Sequence, residues 1–347
     1  MNSIQARALP DGTAASDGFH ADSGISLPGE GRLDMALEIQ FPEHLAQPAV
    51  LLVCLPGGNM NRRFFDLAPA ELTEDGRRDA SFSFARQMTA RGFVVALVDH
   101  LGIGGSSRPA DGYALSADVL AKASNNVLGA IKARVQAHYG SRLTHLHAVG
   151  VGHSMGAMLT LVQQAQYHSY PAIALLGFST RGLPEYVPQP LHALANDPAA
   201  LRAQLPAIAR SMFKEPYPRL QRTEDSRGMF AGDRADARGI AALKSASGEP
   251  MLPLPSLLSM LPGNVAPEAA SIDVPIFLGV GDRDIVGPPE QVSGAFSHSP
   301  SVELHVMPET GHSHFLFASR LALFDAVAAW TRSVTQRCAE AIDPMVR

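Results

Sequence analysis

The amino-acid sequence predicts an α/β fold: a mostly parallel, doubly wound sheet of about eight strands, interrupted by an inserted and mainly helical cap. Three observations support this prediction. Short aliphatic and β-branched runs recur along the chain, helix-length segments separate them, and one proline-rich stretch breaks the alternation. Strands of a parallel sheet read as continuous apolar runs because helices cover both faces of the sheet.

The predicted core consists of residues 31–180 and 271–347. Its strands are seven apolar runs, at residues 35–40, 49–55, 93–98, 146–151, 172–177, 275–280 and 302–307. Helical patterns occur at residues 81–91, 116–138, 157–167, 289–296 and 316–332. The strands are too short to cross a bilayer, which takes about 20 apolar residues, so no membrane span is predicted.

The predicted cap is residues 181–270, which contain 12 of the 26 prolines. Proline at this density is incompatible with central strands and long helices, so we expect several short helices joined by turns. Apolar residues such as Leu257 and Leu258 argue against a solvated linker. We expect the cap to cover the carboxyl edge of the sheet, with these two leucines at the substrate entrance.

Composition excludes several partners and compartments. The chain has 28 Lys and Arg against 33 Asp and Glu, a net charge of −5, without a basic run that would bind nucleic acid or an anionic membrane. Two cysteines cannot form a disulfide framework or a structural zinc site. Residues 1–30 are polar and lack the apolar stretch of a secretory signal. We therefore expect a flexible N-terminal tail and a cytoplasmic location.

A serine between two glycines is the sharpest local signal. Gly152-His153-Ser154-Met155-Gly156 lies directly after a predicted strand and before a predicted helix. A nucleophile elbow needs this context, because its serine occupies a strained turn that only small neighbouring residues permit. Ser154 is therefore the predicted nucleophile.

A serine hydroxyl needs an imidazole to take its proton and a carboxylate to fix the tautomer of that imidazole. Asp282 and Asp284 follow the strand at 275–280, so both lie at its carboxyl end, where sites of α/β proteins form. His312 and His314 follow the next strand. The residues alone leave both choices open, but the chain order serine, aspartate, histidine is that of the hydrolases.

The sequence resembles the α/β-hydrolase fold superfamily, in its serine esterase or lipase-like form with a cap, from about residue 33 to residue 330. Besides the elbow, the motifs that carry the resemblance are Leu55-Pro56-Gly57-Gly58-Asn59, with proline for the usual histidine, Asp99-His100-Leu101-Gly102-Ile103-Gly104-Gly105-Ser106, Gly281-x-x-Asp284-x-x-x-Pro288 and Gly311-His312. The resemblance implies that Asp284 is the acid and His312 the base. If neither Asp284 nor Asp282 were the acid, Asp99 would be the next candidate.

An acyl reaction also needs donors for the developing oxyanion, usually the N–H after the nucleophile and one from the early glycine-rich loop. We expect the N–H groups of Met155 and Gly58, with Asn59 as the alternate to Gly58. Arg62 and Arg63 follow this loop and could meet a substrate carboxylate, although arginines at a helix start are more often solvated.

The predicted function is hydrolysis of a carboxylic ester or lactone of a hydrophobic small molecule, through an acyl-serine intermediate. No cofactor or metal is predicted, because ligand spacings and a dinucleotide motif are lacking. A carbon–carbon bond hydrolase, a peptidase or an acyltransferase with the same triad, and a small-molecule receptor with little turnover, are the alternatives. The sequence leaves the substrate and the oligomeric state open, a homodimer included.

Overall fold

The fold is built on one eight-stranded sheet, seen in a computed structural model that describes residues 15–70, 79–219 and 232–342. The strand order is β1-β2-β4-β3-β5-β6-β7-β8. β2 runs antiparallel to β1 and β4, and the remaining pairs are parallel. The predicted mostly parallel sheet is confirmed. The strands are β1 (Ser16–Asp22), β2 (Asp34–Gln40), β3 (Val50–Leu55), β4 (Val94–Val98), β5 (His147–His153), β6 (Ile173–Leu176), β7 (Ile276–Gly281) and β8 (Val302–Met307).

Helices cover both faces of this sheet. α2 and α3 pack on one face, and α1 and α8 pack on the other. Four further α-helices lie in the described residues between β6 and β7. The α-helices of the described ranges are α1 (Phe84–Ala90), α2 (Ala117–Tyr139), α3 (Met155–Tyr167), α4 (Pro198–Met212), α5 (Ala237–Leu243), α6 (Pro253–Met260), α7 (Ala266–Ser271) and α8 (Arg320–Ile342). None of them is long and apolar enough to span a membrane.

The continuous apolar runs follow from this two-sided burial. Along β3, Leu51 and Val53 join the core under α2 and α3, whereas Leu52 and Cys54 join the core under α1 and α8. Side chains of a strand alternate between faces, so a strand covered on both sides needs apolar residues at every position. Every residue of β3, β4, β5 and β7 is buried accordingly.

Three elements differ from the sequence prediction. The predicted flexible tail is wrong at Ser16–Asp22, which form the edge strand β1, paired with β2 over its whole length. The helix predicted at 289–296 is instead two short 3-10 helices, Pro289–Gln291 and Ser293–Ala295. The last helix begins at Arg320 and reaches Ile342, later than predicted at both ends.

The segment between β6 and β7, residues 177–275, is called the insertion below. Its described part holds α4 to α7 and two 3-10 helices, Pro184–Tyr186 and Gln189–Asn196, but no strand. Residues 220–231 of the predicted cap lie outside the described ranges. Leu201 and Leu205 of α4 and Leu254, Leu257 and Leu258 of α6 belong to the same core cluster as α2 and α3, so the insertion is packed against the sheet domain.

Candidate active site

A strained turn places Ser154 at the carboxyl end of β5. Its backbone has φ 55° and ψ −124°, a left-handed φ that residues with a side chain rarely adopt. A Cβ on Gly152 would lie 2.4 Å from Ala157 Cα, and one on Gly156 would lie 2.1 Å from the Leu55 carbonyl oxygen. Both positions therefore require glycine, and together they allow α3 to start directly after the serine.

Ser154, His312 and Asp284 lie in one hydrogen-bonded chain. His312 Nε2 is 2.8 Å from Ser154 Oγ, and His312 Nδ1 is 2.7 Å from Asp284 Oδ1. The carboxylate accepts from Nδ1, so the lone pair of Nε2 faces the serine hydroxyl and can accept its proton. The two partners of the serine come from the loops after β7 and β8, because parallel strands bring their carboxyl ends to one edge of the sheet.

The other candidate acids lie elsewhere. Asp282 is exposed, and its Oδ1 accepts a hydrogen bond from the backbone N–H of Thr310 at 3.1 Å. Asp99 is fully buried and forms a salt bridge with Arg62, whose backbone N–H also donates to Asp99 at 2.7 Å. This pairing also gives Arg62 a structural partner in the described part of the chain.

The environment keeps Asp284 ionised. Burial alone would raise the pKa of its carboxyl, but the imidazoles of His312 and His314 outweigh burial and hold that pKa well below its ordinary value. The backbone N–H of Val286 adds a hydrogen bond to Oδ1 at 3.2 Å. Asp284 can therefore stabilise a positive charge on His312 throughout the neutral pH range.

Two further histidines contact the hydrogen-bonded residues Asp284 and His312. His314 Nε2 lies 2.7 Å from Asp284 Oδ2, so the carboxylate contacts an imidazole at each oxygen. His153 Nε2 donates to the carbonyl oxygen of His312 at 2.8 Å. Burial, with the nearby His312 and His314, holds the pKa of His153 well below its ordinary value, so His153 is neutral. From the sequence, His314 was only an alternative to His312, and its place two residues further along the same loop was the one sign of a role.

The glycine-rich loop after β3 borders the serine. A Cβ on Gly57 would lie 3.1 Å from Ser154 Cβ, and one on Gly58 would lie 3.8 Å from Met155 Sδ. The backbone N–H groups of Gly58 and Met155 have no hydrogen-bond partner in the described part of the chain. Asn59, the alternate donor, has a left-handed φ of 60°. Gly58, Asn59 and Met155 line the same cavity as Ser154.

The insertion supports this loop, residues 57–61, directly. Met60 forms an isolated antiparallel bridge with Ser247, and the Asn61 N–H donates to the Ala246 carbonyl at 2.9 Å. Glu249 accepts from both asparagine side chains, through its carbonyl at 3.4 Å for Asn59 and its carboxylate at 3.0 Å for Asn61. The conformation of the loop is therefore coupled to residues 245–249.

A cavity of about 430 Å³ opens over Ser154 and His312, between the sheet edge and the insertion. Leu257 lines this cavity and Leu258 does not: Leu258 is fully buried in the core, since neighbouring residues of a helix point in different directions. Among the described residues, no Asp, Glu, Lys or Arg lines the cavity. The insertion contributes mainly apolar side chains: Leu183, Tyr186, Val187, Met212, Phe213, Met251, Leu257 and Met260.

Chemically, this arrangement can activate a hydroxyl and bind a developing oxyanion beside an apolar chamber. In the described ranges, no three His, Cys, Asp or Glu side chains are grouped so that they could hold a metal ion.

Solved structures show the same fold at low sequence identity. A thermophilic esterase from Thermogutta terrifontis is 18% identical, with 92% of this chain and 99% of that chain covered and a TM-score of 0.52. The N-acyl homoserine lactonase AidH, complexed with N-hexanoyl homoserine lactone, is 18% identical, with coverage of 92% and 99% and a TM-score of 0.54. Proline iminopeptidase of Mycobacterium smegmatis is 16% identical, with coverage of 93% and 100% and a TM-score of 0.56.

At these identities, the similarity shows the fold alone. No curated protein matches the chain significantly. The sequence profile of the alpha/beta hydrolase family matches residues 52–326, well over half of the chain. Together with the sheet order and the strained serine turn, this match shows that the chain belongs to the alpha/beta hydrolase family.

Proposed function

We propose that this protein is a serine hydrolase that cleaves a carboxylic ester or lactone of a hydrophobic small molecule through an acyl-serine intermediate. The observation that carries the proposal is the hydrogen-bonded chain from Ser154 through His312 to Asp284, open to an uncharged, mainly apolar cavity. A nucleophile, a base and an orienting carboxylate are the groups that acyl transfer requires.

In the acylation step, Ser154 Oγ attacks the carbonyl carbon and His312 Nε2 takes the hydroxyl proton. Asp284 stabilises the imidazolium that forms. The N–H groups of Met155 and Gly58 donate to the oxyanion, with Asn59 as the alternate to Gly58. His312 then gives its proton to the leaving alkoxide, and the C–O bond breaks. In the second step, His312 takes a proton from water as the water oxygen attacks the acyl carbon. The bond between that carbon and Ser154 Oγ then breaks, His312 returns the proton to Oγ, and the carboxylic acid leaves.

The cavity favours esters and lactones over peptides. An exopeptidase must bind a charged terminus, yet no charged carboxylate, ammonium or guanidinium group lines the cavity within the described residues. Burying an unpaired ammonium there would be costly. An uncharged ester with apolar substituents meets no such penalty, and about 430 Å³ is in the range of small-molecule pockets. Two of the structurally similar proteins are named as an esterase and a lactonase.

The test is a substrate panel: p-nitrophenyl esters from acetate to laurate, γ- and δ-lactones of increasing chain length, and amino-acid p-nitroanilides. Each is assayed with and without a serine-directed phosphonate, and Ser154→Ala is the control for background hydrolysis. We expect phosphonate-sensitive turnover of esters or lactones and none of the anilides.

The opposing outcomes are distinct. Turnover of the anilides at a rate comparable to the esters would indicate a peptidase. Phosphonate labelling of Ser154 with no turnover in the panel would leave a different acyl acceptor or bond type, as in an acyltransferase or a carbon–carbon bond hydrolase. Binding of panel members without labelling would indicate a receptor.

A further inference from the structure

The carboxylate of Asp284 is bonded by two imidazoles at once. His312 Nδ1 contacts Oδ1 and His314 Nε2 contacts Oδ2, both at 2.7 Å, and the side chains of Asp284 and His314 are fully buried. The first contact is the one that orients the proposed base. The second contact is not needed for that role, so the presence of His314 has to be explained separately.

The protonation state of His314 at this contact follows from its partner. An ionised carboxylate only accepts hydrogen bonds, so the proton of the second contact lies on His314 Nε2. Its other ring nitrogen, Nδ1, is buried and has no hydrogen-bond partner in the described part of the chain. An unpaired buried nitrogen destabilises the fold, and an apolar side chain of similar size would avoid that cost. Packing alone therefore does not account for histidine at this position.

The surroundings of His314 contain other titratable groups. On its own loop lies His312, and from the loop after β7 comes Asp284. From β5, the ring of His153 lies with its centroid 5.5 Å from that of His314, and from β8, His305 is close enough for the two imidazoles to influence each other. Asp284 is the anion among these groups, and His314 donates directly to it.

We propose that His314 is a positioning residue, which acts on the base through Asp284; this inference rests on the proposed function. With a donor on each oxygen, the carboxylate plane is held. Without His314, both remaining donors, His312 and the Val286 N–H, would contact Oδ1, and Oδ2 would have no donor to oppose rotation about the Cβ–Cγ bond. The second donor also stabilises the carboxylate anion and weakens its pull on the imidazolium of His312. His314 thus keeps the geometry of the triad and limits the basicity of its base.

Three variants test this role. His314→Phe removes the donor and keeps the ring, His314→Gln offers an amide donor in its place, and His147→Phe makes the same ring change at the opposite end of β5. We expect His314→Phe to lower kcat roughly 10- to 100-fold, with KM changed less than about threefold, as loss of an outer partner of a functional group does. The acid limb of kcat/KM should move to higher pH by about half a unit, because Asp284 then attracts the imidazolium more strongly.

The control variants separate positioning from packing. His314→Gln should recover most of kcat and return the acid limb toward its original pH, and His147→Phe should stay within about twofold of the parent protein. A fall in kcat for His314→Phe with an unshifted acid limb and no recovery in His314→Gln would mean that His314 only fills space, and would overturn the proposal. Unchanged kcat in His314→Phe would overturn it as well.

A measurement on the unsubstituted protein tests the contact between His314 and Asp284 even if the variants do not fold. Long-range ¹H–¹⁵N spectra of protein labelled with ¹⁵N-histidine report which ring nitrogens carry protons, without any turnover. We expect His314 to be protonated at Nε2, and a low-field, slowly exchanging proton at that nitrogen. A bare Nε2 would show that the contact with Asp284 does not exist. If the substrate panel shows no activity but this proton is present, the proposed function is wrong, whereas the hydrogen bond from His314 to Asp284 is established.

Discussion

Two aspartates lie two residues apart on the loop after β7, and replacing each by asparagine tests which carboxylate acts on His312. Asp284 contacts His312 and His314 and is buried, whereas Asp282 is exposed and accepts only from the Thr310 N–H in the described structure. The two substitutions are chemically identical, so each is the control of the other.

The size of the effect follows from the geometry. With a nitrogen–oxygen distance of 2.7 Å, the charge centres of Asp284 and a protonated His312 lie about 4 Å apart, which gives an attraction of about 4 kcal/mol at an effective dielectric constant of about 20. Losing that attraction in the transition state lowers kcat about 10³-fold. The amide has one acceptor oxygen where the carboxylate has two, and a wrong imidazole tautomer extends the loss to about 10⁴-fold.

The assay is steady-state turnover of the best ester or lactone of the panel, with circular dichroism and urea unfolding to establish that both variants fold. Asp284→Asn should lose roughly 10³- to 10⁴-fold in kcat, and Asp282→Asn less than about tenfold, because an exposed carboxylate contributes little beyond its loop contact. A severe loss in Asp282→Asn and a mild one in Asp284→Asn would refute the assignment. Equal mild losses would show that neither carboxylate of this loop acts on His312.

Three further predictions concern the nucleophile, the cavity and acid stability. Ser154→Ala should lower kcat by about 10⁴-fold or more and abolish phosphonate labelling seen by intact mass; labelling that persists would exclude this serine. Leu257→Asp should raise KM for long-chain esters far more than for the acetate ester, because Leu257 lines the cavity. Leu258→Ala should lower the free energy of unfolding by about 2–5 kcal/mol and leave the chain-length preference unchanged. If Leu257→Asp raised KM equally for long-chain esters and acetate, the cavity assignment would be wrong. Burial lowers the pKa of His100, so below about pH 6.5 the unfolded chain binds a proton at this residue that the folded protein does not. Through His100, the free energy of unfolding should therefore fall with falling pH by up to about 1.4 kcal/mol per pH unit. Urea unfolding at pH 7.5 and 5.5 should show this fall, and the fall should be smaller in His100→Phe.

The parallel strands and the serine turn could be predicted because both leave a local pattern. Two-sided burial demands an unbroken apolar run, as in β3, and the close approach at Gly152 and Gly156 demands glycine. Strand β1 leaves a weaker pattern. Phe19 and Ala21 pack on the core and Asp17 on the same face pairs with Arg134, whereas Gly18, His20 and Asp22 are exposed, so the strand has no continuous apolar run. Backbone hydrogen bonds pair β1 with β2, and amino-acid composition does not indicate where such bonds form.

The contacts that depend on loop closure could not be predicted from spacing. Asp284 and His314 are 30 residues apart, and their bond exists because the loops after β7 and β8 meet at the sheet edge. The resemblance to known hydrolases favoured Asp284 and His312 but assigned nothing to His314. Leu257 and Leu258 could not be told apart from the sequence either, because composition predicts both to lie near the cavity. Their side chains leave α6 in different directions, so Leu257 lines the cavity and Leu258 is buried in the core.

The contacts between the loop at 57–61 and residues 245–249 bear on how this protein could be re-engineered. An insertion between two strands invites exchange with that of a relative, as a way to change substrate preference while the sheet is kept. Here such a graft would remove the bridge from Ser247 to Met60 and the Glu249 contacts of Asn59 and Asn61, all within the loop that borders Ser154. The insertion and the loop at 57–61 are therefore not independent modules, and a chimera must carry residues 245–249 along with the loop they support.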